Sequence, residues 1–238
     1  MVRLGVVKEI NLYPVKSMRA IPVREAQLYW YGLNGDRKYA WVRSETTSGF
    51  PWLTGRGVPD LLRYQPIFLG KENVLTSPVQ VRTPDGRTLK LSDVQGELSD
   101  LHGAPVQLIR LNRGTYDAMP VSLITTSTLE TLEHALGTPL ERRRFRTNLV
   151  IESLAKGDFP EDAWLNRTLA FGSSHSARLR VTHLTKRCIM VNFHPDTAEL
   201  ANAPLAVVAK QHGACAGVYA AVEGLGTIRV GDTVTMPN

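Results

Sequence analysis

Runs of alternating apolar and polar residues dominate the chain and predict short β-strands. Residues 4–14, 26–31 and 38–43 show this pattern most clearly. The tetrapeptide Pro-Asp-Gly-Arg at 84–87 lies between two further alternating stretches and predicts a hairpin, because Asp and Gly suit a tight turn. Many short strands of this kind are typical of a β-rich fold with barrel character.

Two segments have a helical pattern instead. Ser127 and Glu130 match a capping box, which predicts a helix with Ser127 as its N-cap that ends at Gly137. Pro204 and Gly213 suit the first turn and the end of a second helix. The chain is therefore expected to be mainly β with a few helices.

The densest break in the pattern covers residues 112–119. Strand-rich sequence precedes this break, and the helix predicted at Ser127 follows it. Turn-forming residues between patterned segments are typical of a connection. We therefore expect two domains, residues 1–115 and residues 116–238.

Composition limits the class of protein. The chain has 238 residues and is 43% hydrophobic, which is enough for a sizeable core. Its two cysteines are too few for a disulfide framework or for the four thiolates of an ordinary iron–sulfur cluster, so redox chemistry would need an outside electron source. The N-terminus lacks the apolar segment of a signal peptide, and the apolar run 203–209 is too short to span a bilayer. We expect a cytoplasmic protein that does not enter a membrane.

The charge balance indicates an anionic partner. The formal net charge is +6 and the sequence pI is about 9.5. A generally basic, solvated surface is the alternative explanation. The chain has no arginine-rich tail and no interleaving of aromatic and basic residues, so we do not expect nucleic acid. A small phosphorylated ligand would need only a few well-placed cations.

Cys188 is the main candidate for chemistry. It follows two cations, Lys186 and Arg187, and positive charge favours the thiolate form that reacts and binds metals. A small buried hydrophobe is the alternative role for such a cysteine. Cys215 lies among small residues, where we expect a structural thiol. The six histidines show no metal-ligand spacing, and His194 is either a loop residue or a proton donor.

Seven blocks of the sequence resemble, in order, the MOSC family, named after the C-terminal domain of molybdenum cofactor sulfurase. These blocks are residues 13–17, 32–37, 53–56, 145–150, 187–188 with 194–197, 217–220 and 226–232. Each block is short, but their order along nearly the whole chain makes the resemblance specific. It implies an N-terminal MOSC-type β-barrel domain packed against a MOSC β-barrel domain, as in the bacterial and mitochondrial amidoxime-reducing component group.

The resemblance also implies that the protein binds the molybdenum cofactor (Mo-molybdopterin). The positions that match cofactor-contacting residues of the family are Lys16, Ser17, Arg37, Arg146, Asn148, Arg187 and Tyr219. The pterin carries a phosphate, which suits cationic side chains and hydroxyls. Cys188 matches the catalytic thiol and metal ligand of the family, in keeping with the preference of molybdenum for soft sulfur donors.

The implied activity is reduction of small N-hydroxylated or related N–O and S–O compounds, with electrons from a separate flavin or iron–sulfur protein. Two alternatives stay open. Cys188 carries a persulfide and transfers sulfur, or the protein stores and delivers the cofactor without catalysis. Lys186 departs from the related reductases, which often have a small hydroxyl residue at this position, so the resemblance does not set the substrate class.

Overall fold

The computed structural model describes residues 1–70, 78–111 and 113–237, and most of the regular structure in them is β-strand. The strands are β1 (Val2–Leu12), β2 (Ile21–Val23), β3 (Glu25–Tyr29), β4 (Gly32–Leu33), β5 (Tyr39–Arg43), β6 (Gln65–Phe68), β7 (Val79–Arg82), β8 (Thr88–Lys90), β9 (Val106–Arg110), β10 (Val121–Thr125), β11 (Leu149–Ser153), β12 (Thr168–Phe171), β13 (Ala177–Lys186), β14 (Cys215–Gly224), β15 (Gly226–Arg229) and β16 (Thr233–Met236). The α-helices are α1 (Gln95–His102), α2 (Thr126–Leu136) and α3 (Ala203–His212).

Seven strands close into a barrel. Their order is β11-β10-β14-β13-β12-β16-β1, and the barrel closes because β1 pairs with β11 as well as with β16. Strands β10 and β11 run parallel, and the other neighbours in this barrel run antiparallel. Closure removes the unpaired edges that an open sheet would carry. The prediction of a mainly β fold with a barrel is therefore confirmed.

Buried apolar residues on both sides of a bulge explain why β1 belongs to the barrel: the register shifts between Val7 and Glu9, so Val7 and Ile10 are both buried. Val7, Ile10 and Leu12 are at most 2% exposed and belong to the core inside the barrel. Burial of each such side chain contributes roughly 1.5–3 kcal/mol to folding. The N-terminal strand therefore supplies part of the core that the C-terminal strands enclose.

The elements from β5 to β9 form two small sheets around a separate core, whereas the buried residues of β3 and β4 belong to the barrel core. Strands β6, β7 and β8 form one sheet, and β5 pairs with β9. Trp41, Leu61, Val81 and Leu98 are fully buried in the core between these elements. The hairpin predicted at 84–87 is confirmed, since it joins β7 to β8. The domain boundary between residues 115 and 116 stays a prediction.

Helix α2 begins earlier than the capping box predicted. Its N-cap is Thr125, whose side-chain oxygen accepts a hydrogen bond from the Thr128 backbone N–H at 3.2 Å. The prediction of Ser127 as the cap is therefore wrong. The buried carboxylate of Glu161 accepts hydrogen bonds from the hydroxyls of Thr125 (2.6 Å) and Thr128 (2.7 Å), and this long-range contact fixes the start of the helix. The second predicted helix is confirmed as α3. Within the described ranges, no helix combines the length and apolarity needed to cross a membrane.

The position of β1 gives a first testable prediction. A fragment that begins at Pro120 lacks β1, so β11 and β16 lose their shared neighbour and the barrel opens. We expect this fragment to be aggregated or unfolded by circular dichroism and amide NMR. Co-expression with residues 1–119 should restore a folded complex. A fragment that is monomeric and shows dispersed amide signals by itself would contradict this account of the barrel.

Candidate functional site

A cleft lies at one rim of the barrel, where the end of β1 meets the beginning of β11 and Ile10 lies opposite Leu149. Its volume is about 360 Å³. All eight residues that the resemblance singled out line it: Lys16, Ser17, Arg37, Arg146, Asn148, Arg187, Cys188 and Tyr219. The fold thus brings together side chains that are up to two hundred positions apart in the sequence.

The cleft is strongly cationic. Among the described residues, its lining has one acidic side chain, Asp117, and a larger set of basic ones. The basic residues are Lys16, Arg37, Arg56, Arg144, Arg146, Lys186 and Arg187. A concave surface lined by one sign of charge concentrates ligands of the opposite sign. The site therefore suits an anionic ligand.

Lys16 lines the cleft as a buried side chain, four residues after the end of β1. Its Nζ donates to the backbone oxygen of Thr115 at 2.6 Å and to Asp117 at 2.5 Å. Burial lowers the pKa of Lys16, and the carboxylate of Asp117 opposes this effect only in part. The Asp117 side chain is 57% exposed, whereas that of Lys16 is 6% exposed. Lys16 is thus a fixed cation whose counter-ion faces solvent.

Arg37 is held by several partners at once. Its guanidinium forms an ion pair with Asp36, and it donates to the side-chain oxygen of Asn148 and to the backbone oxygen of Arg146, each at 3.2 Å. Asp36 also accepts from the backbone N–H of Tyr13 at 2.7 Å. Burial acts to lower the pKa of Arg37, but the neighbouring Asp36 outweighs burial and raises it. Arg37 therefore keeps its charge inside the protein.

Tyr13 lies between two of the predicted cofactor residues. The guanidinium carbons of Arg37 and Arg146 lie 4.8 Å and 4.5 Å from the centre of its ring. Stacking on an aromatic face stabilises a cation, so one ring orients both guanidinium groups. Arg146 also donates to the backbone oxygen of Met18 at 2.8 Å. Burial lowers the pKa of Arg146 to about 10.

Three of these residues have a left-handed backbone conformation. The φ angles are 66° at Ser17, 46° at Arg37 and 51° at Arg146. A conformation of this kind costs a residue other than glycine about 1–3 kcal/mol and is concentrated at functional sites. The tertiary contacts of Arg37 and Arg146 hold their backbone in this state.

The side-chain amide of Asn148 forms hydrogen bonds with other residues of the protein. The oxygen accepts from the backbone N–H and the hydroxyl of Ser122 at 3.2 Å and 3.1 Å, in addition to Arg37. The nitrogen donates to the backbone oxygen of Asn11 at 3.1 Å. Asn148 therefore positions Arg37, and its contact with a pterin stays a prediction.

One hydrogen-bond donor of the Arg187 guanidinium has no partner among the described residues. Its Nε donates to Ala216 and its Nη1 to Phe145, both at backbone oxygens, at 2.8 Å and 2.7 Å. The buried Nη2 has no partner among the described residues. A Cβ at position Gly217 would lie 3.3 Å from this Nη2 and would clash with the backbone oxygen of Leu123, so glycine lets the strand approach the guanidinium. Burial lowers the pKa of Arg187 to about 10.

Cys188 follows β13 and is exposed at the cleft, which does not match the alternative of a buried hydrophobe. Beside it, the hydroxyl of Thr185 is buried without a partner in the described part of the chain. Cys215 is half-buried and does not line the cleft. Within the described residues, no group of three or more His, Cys, Asp or Glu side chains is placed to hold a metal ion by itself.

Tyr219 lies on β14, and its ring centre is 5.4 Å from that of His183, which also lines the cleft. His194 has a local role instead, because its Nδ1 accepts from the backbone N–H of Asp196 at 3.2 Å. Tyr13 and Asp117 contribute to the site but were not among the predicted site residues. Tyr13 stands in the first family block, which was a usable signal, whereas nothing local marks Asp117 as the partner of a residue a hundred positions away.

The fold and the site together define a β-barrel protein with a cationic cleft and a single exposed thiol. The chain belongs to the MOSC family: the MOSC domain matches residues 99–235, and the MOSC N-terminal beta barrel domain matches residues 4–129. The predicted family is therefore confirmed. Membership supports a molybdenum-cofactor-associated function.

Two curated relatives match over almost the whole chain. Mitochondrial amidoxime-reducing component 1 of Xenopus laevis is 24% identical, over 98% of this chain and 82% of the relative. The protein of the same name from Homo sapiens is 23% identical, over 98% of this chain and 83% of the relative. Among solved structures, the YUAD protein from Bacillus subtilis matches with a TM-score of 0.50 and 15% identity, over 97% of this chain and 94% of that one. The structural match supports the fold.

Proposed function

We propose that the protein binds the molybdenum cofactor in this cleft and reduces small N-hydroxylated or related N–O and S–O compounds. One observation carries the proposal. Eight residues from distant parts of the chain, each matching a cofactor position of the family, line the same cleft. Convergence of this kind is expected of a binding site and not of scattered surface residues.

The cleft fits such a cofactor in size, charge and donor chemistry. A volume of about 360 Å³ is within the usual range of small-molecule sites. The cations suit a phosphate, and the buried Nη2 of Arg187, which has no partner among the described residues, is a donor that suits a ligand oxygen. The exposed sulfur of Cys188 is a soft donor of the kind that molybdenum prefers.

In this proposal, Lys16, Arg37 and Arg146 hold the phosphate, Ser17 adds a hydroxyl, and Cys188 is the molybdenum ligand. The bound cofactor supplies a centre that passes two electrons and takes oxygen from the substrate. For an N-hydroxylated compound, the balanced reaction consumes two electrons and two protons, breaks the N–O bond and releases water.

The cationic side chains of the site are preorganised before a ligand binds. Arg37 and Arg146 are fixed by Tyr13, Asp36 and backbone oxygens, so little side-chain freedom remains to be lost on binding. Preorganised groups bind more tightly because the entropy cost has already been met during folding. The same rigidity sets the distance between the phosphate-binding cations and the thiol.

The proposal also gives both parts of the chain a role in the site and requires a separate electron-donor protein. Lys16 and Arg37 belong to residues 1–115, whereas Arg146 and Cys188 belong to residues 116–238, so we propose that the N-terminal part completes the site. A separate flavin or iron–sulfur protein supplies the electrons. Both cysteines are free thiols, as is typical of proteins in a reducing compartment such as the cytoplasm.

The exposure of Cys188 also supports a second candidate, sulfur transfer through a persulfide. An exposed sulfur is accessible to a sulfur donor and to an acceptor. Storage or delivery of the cofactor is the third candidate. The three functions differ in what the purified protein carries and in whether it turns over.

The test is a reductase assay with benzamidoxime as substrate and reduced methyl viologen as donor. We expect formation of benzamidine by protein from molybdate-grown cells. Protein from cells grown with tungstate is the matched control and should be inactive. A persulfide on Cys188 of metal-free protein would support sulfur transfer instead. Bound cofactor without turnover of N–O or S–O substrates would support storage, and either result would contradict the reductase proposal.

A further inference from the structure

The cleft has more positive charge than a cofactor phosphate requires. Lys16 and Arg37 are already paired with Asp117 and Asp36. Arg146 is bound to the backbone oxygen of Met18 and stacked on an aromatic ring. These are the cations assigned above to the phosphate, and they are fixed deep in the cleft.

Two exposed cations remain at the opening of the cleft, Lys186 and Arg56. Neither forms an ion pair with any residue that the structure describes. The guanidinium carbon of Arg56 lies 5.1 Å from the centre of the Phe50 ring, and the charge of Arg56 also helps to lower the pKa of Asp117. Lys186 ends β13, two positions before Cys188, and both residues line the cleft. A molecule that approaches the thiol therefore meets these two charges.

We propose that Lys186 and Arg56 select substrates that carry a negative charge. This inference rests on the proposed function and deepens it by naming the substrate class. Electrostatic focusing in a cleft raises the local concentration of oppositely charged ligands. Lys186 is exposed and lines the cleft two positions before the thiol, so its charge acts where a substrate approaches Cys188.

A cleft that selects cationic substrates would need free carboxylates in its lining. In the described lining, Asp117 is the one carboxylate, and it is bound to Lys16. Partial enclosure by the cleft acts to raise the pKa of Asp117, but the adjacent Lys16 outweighs this effect and lowers the pKa, so the carboxylate stays charged. It offers no free counter-charge to an amidinium or amine.

The experiment compares two substrates that differ by one charge, benzamidoxime and 4-carboxybenzamidoxime. The ratio of their kcat/KM values is measured with the same donor, reduced methyl viologen, so that effects on the donor cancel. We expect the wild-type protein to favour the carboxylate roughly fivefold at low salt, the size of a well-formed exposed charge interaction. The preference should shrink as ionic strength rises, because exposed charges are screened.

The variants Lys186→Glu and Arg56→Glu should each lower the ratio, and Lys186→Glu should invert it. Lys186→Ser removes the charge without reversing it and should lower the ratio by less than Lys186→Glu, because Arg56 remains in the cleft. Lys156→Glu makes the same charge change at an exposed position outside the cleft and should leave the ratio unchanged. The inference would be overturned if the wild type used both substrates equally or preferred benzamidoxime. It would also be overturned if neither glutamate variant changed the ratio.

Failure of the proposed function gives a different result. If neither amidoxime is reduced, the reductase proposal is wrong, and calorimetric binding of the two compounds then tests charge selection by itself. Tighter binding of 4-carboxybenzamidoxime to the wild type than to Lys186→Glu would support the inference. Equal affinities would overturn it.

Discussion

Replacement of Cys188 by alanine is expected to lower molybdenum content and benzamidoxime reduction at least tenfold while leaving the fold intact. Loss of even an outer partner of a metal ligand typically costs about 10–100-fold in metal affinity or activity, and loss of the ligand itself should cost no less. Cys188 is exposed, and exposed substitutions usually change stability by less than about 0.5 kcal/mol. Metal analysis, the benzamidoxime assay and a thermal melt measure these three effects.

Cys215→Ala is the matched control for this experiment. Its thiol is half-buried, lies outside the cleft and makes only a weak contact with the backbone oxygen of Gly213 at 3.8 Å. We expect wild-type metal content and activity from this variant. Cys188→Ala protein that retains both metal and turnover at the wild-type level would show that the thiol is not the ligand.

Two substitutions among the cleft cations are expected to act differently: Arg37→Met lowers the stability of the fold, whereas Lys16→Met lowers cofactor binding. Arg37→Met removes the partner of Asp36, whose side chain is fully buried. An uncompensated buried charge costs about 3–5 kcal/mol, and we expect the lower end because the Tyr13 N–H still donates to Asp36. Lys16→Met leaves Asp117, which is 57% exposed and returns to water at little cost.

Lys16→Met should therefore keep most of the stability yet weaken cofactor occupancy by about ten- to a hundredfold, because a charge-assisted contact contributes roughly 1.5–3 kcal/mol. Urea unfolding of the two variants and fluorescence of released, oxidised pterin measure the two quantities. Lys8→Met is a control, since Lys8 forms an exposed ion pair with Glu152 outside the cleft. Full cofactor occupancy in Lys16→Met would show that Lys16 does not hold the phosphate.

Local patterns predicted the individual strands and the turn at 84–87, because alternation and turn residues act over a few positions. They failed where a distant residue decides the outcome. Helix α2 begins at Thr126 and not after Ser127, since Glu161 binds the hydroxyls of Thr125 and Thr128. The pattern of β1 likewise indicated a strand but not its place between β11 and β16.

The site likewise contains features that short sequence patterns predict and contacts between distant residues that they do not predict. The family blocks identified eight of the residues that line the cleft, because each block is a short pattern in the sequence. The blocks did not reveal the stacking of Arg37 and Arg146 on Tyr13, nor the ion pair of Lys16 with Asp117. Such contacts depend on the closed barrel, which brings the ends of strands from the whole chain to one rim.

The central claim is that this cleft holds the molybdenum cofactor. The most direct test is the molybdenum and pterin content of freshly purified wild-type protein, measured by metal analysis and by fluorescence of the released pterin. The account predicts equal amounts of molybdenum and pterin, approaching one of each per chain. Protein that is folded, comes from molybdate-supplied cells able to make the cofactor, and contains neither would contradict it.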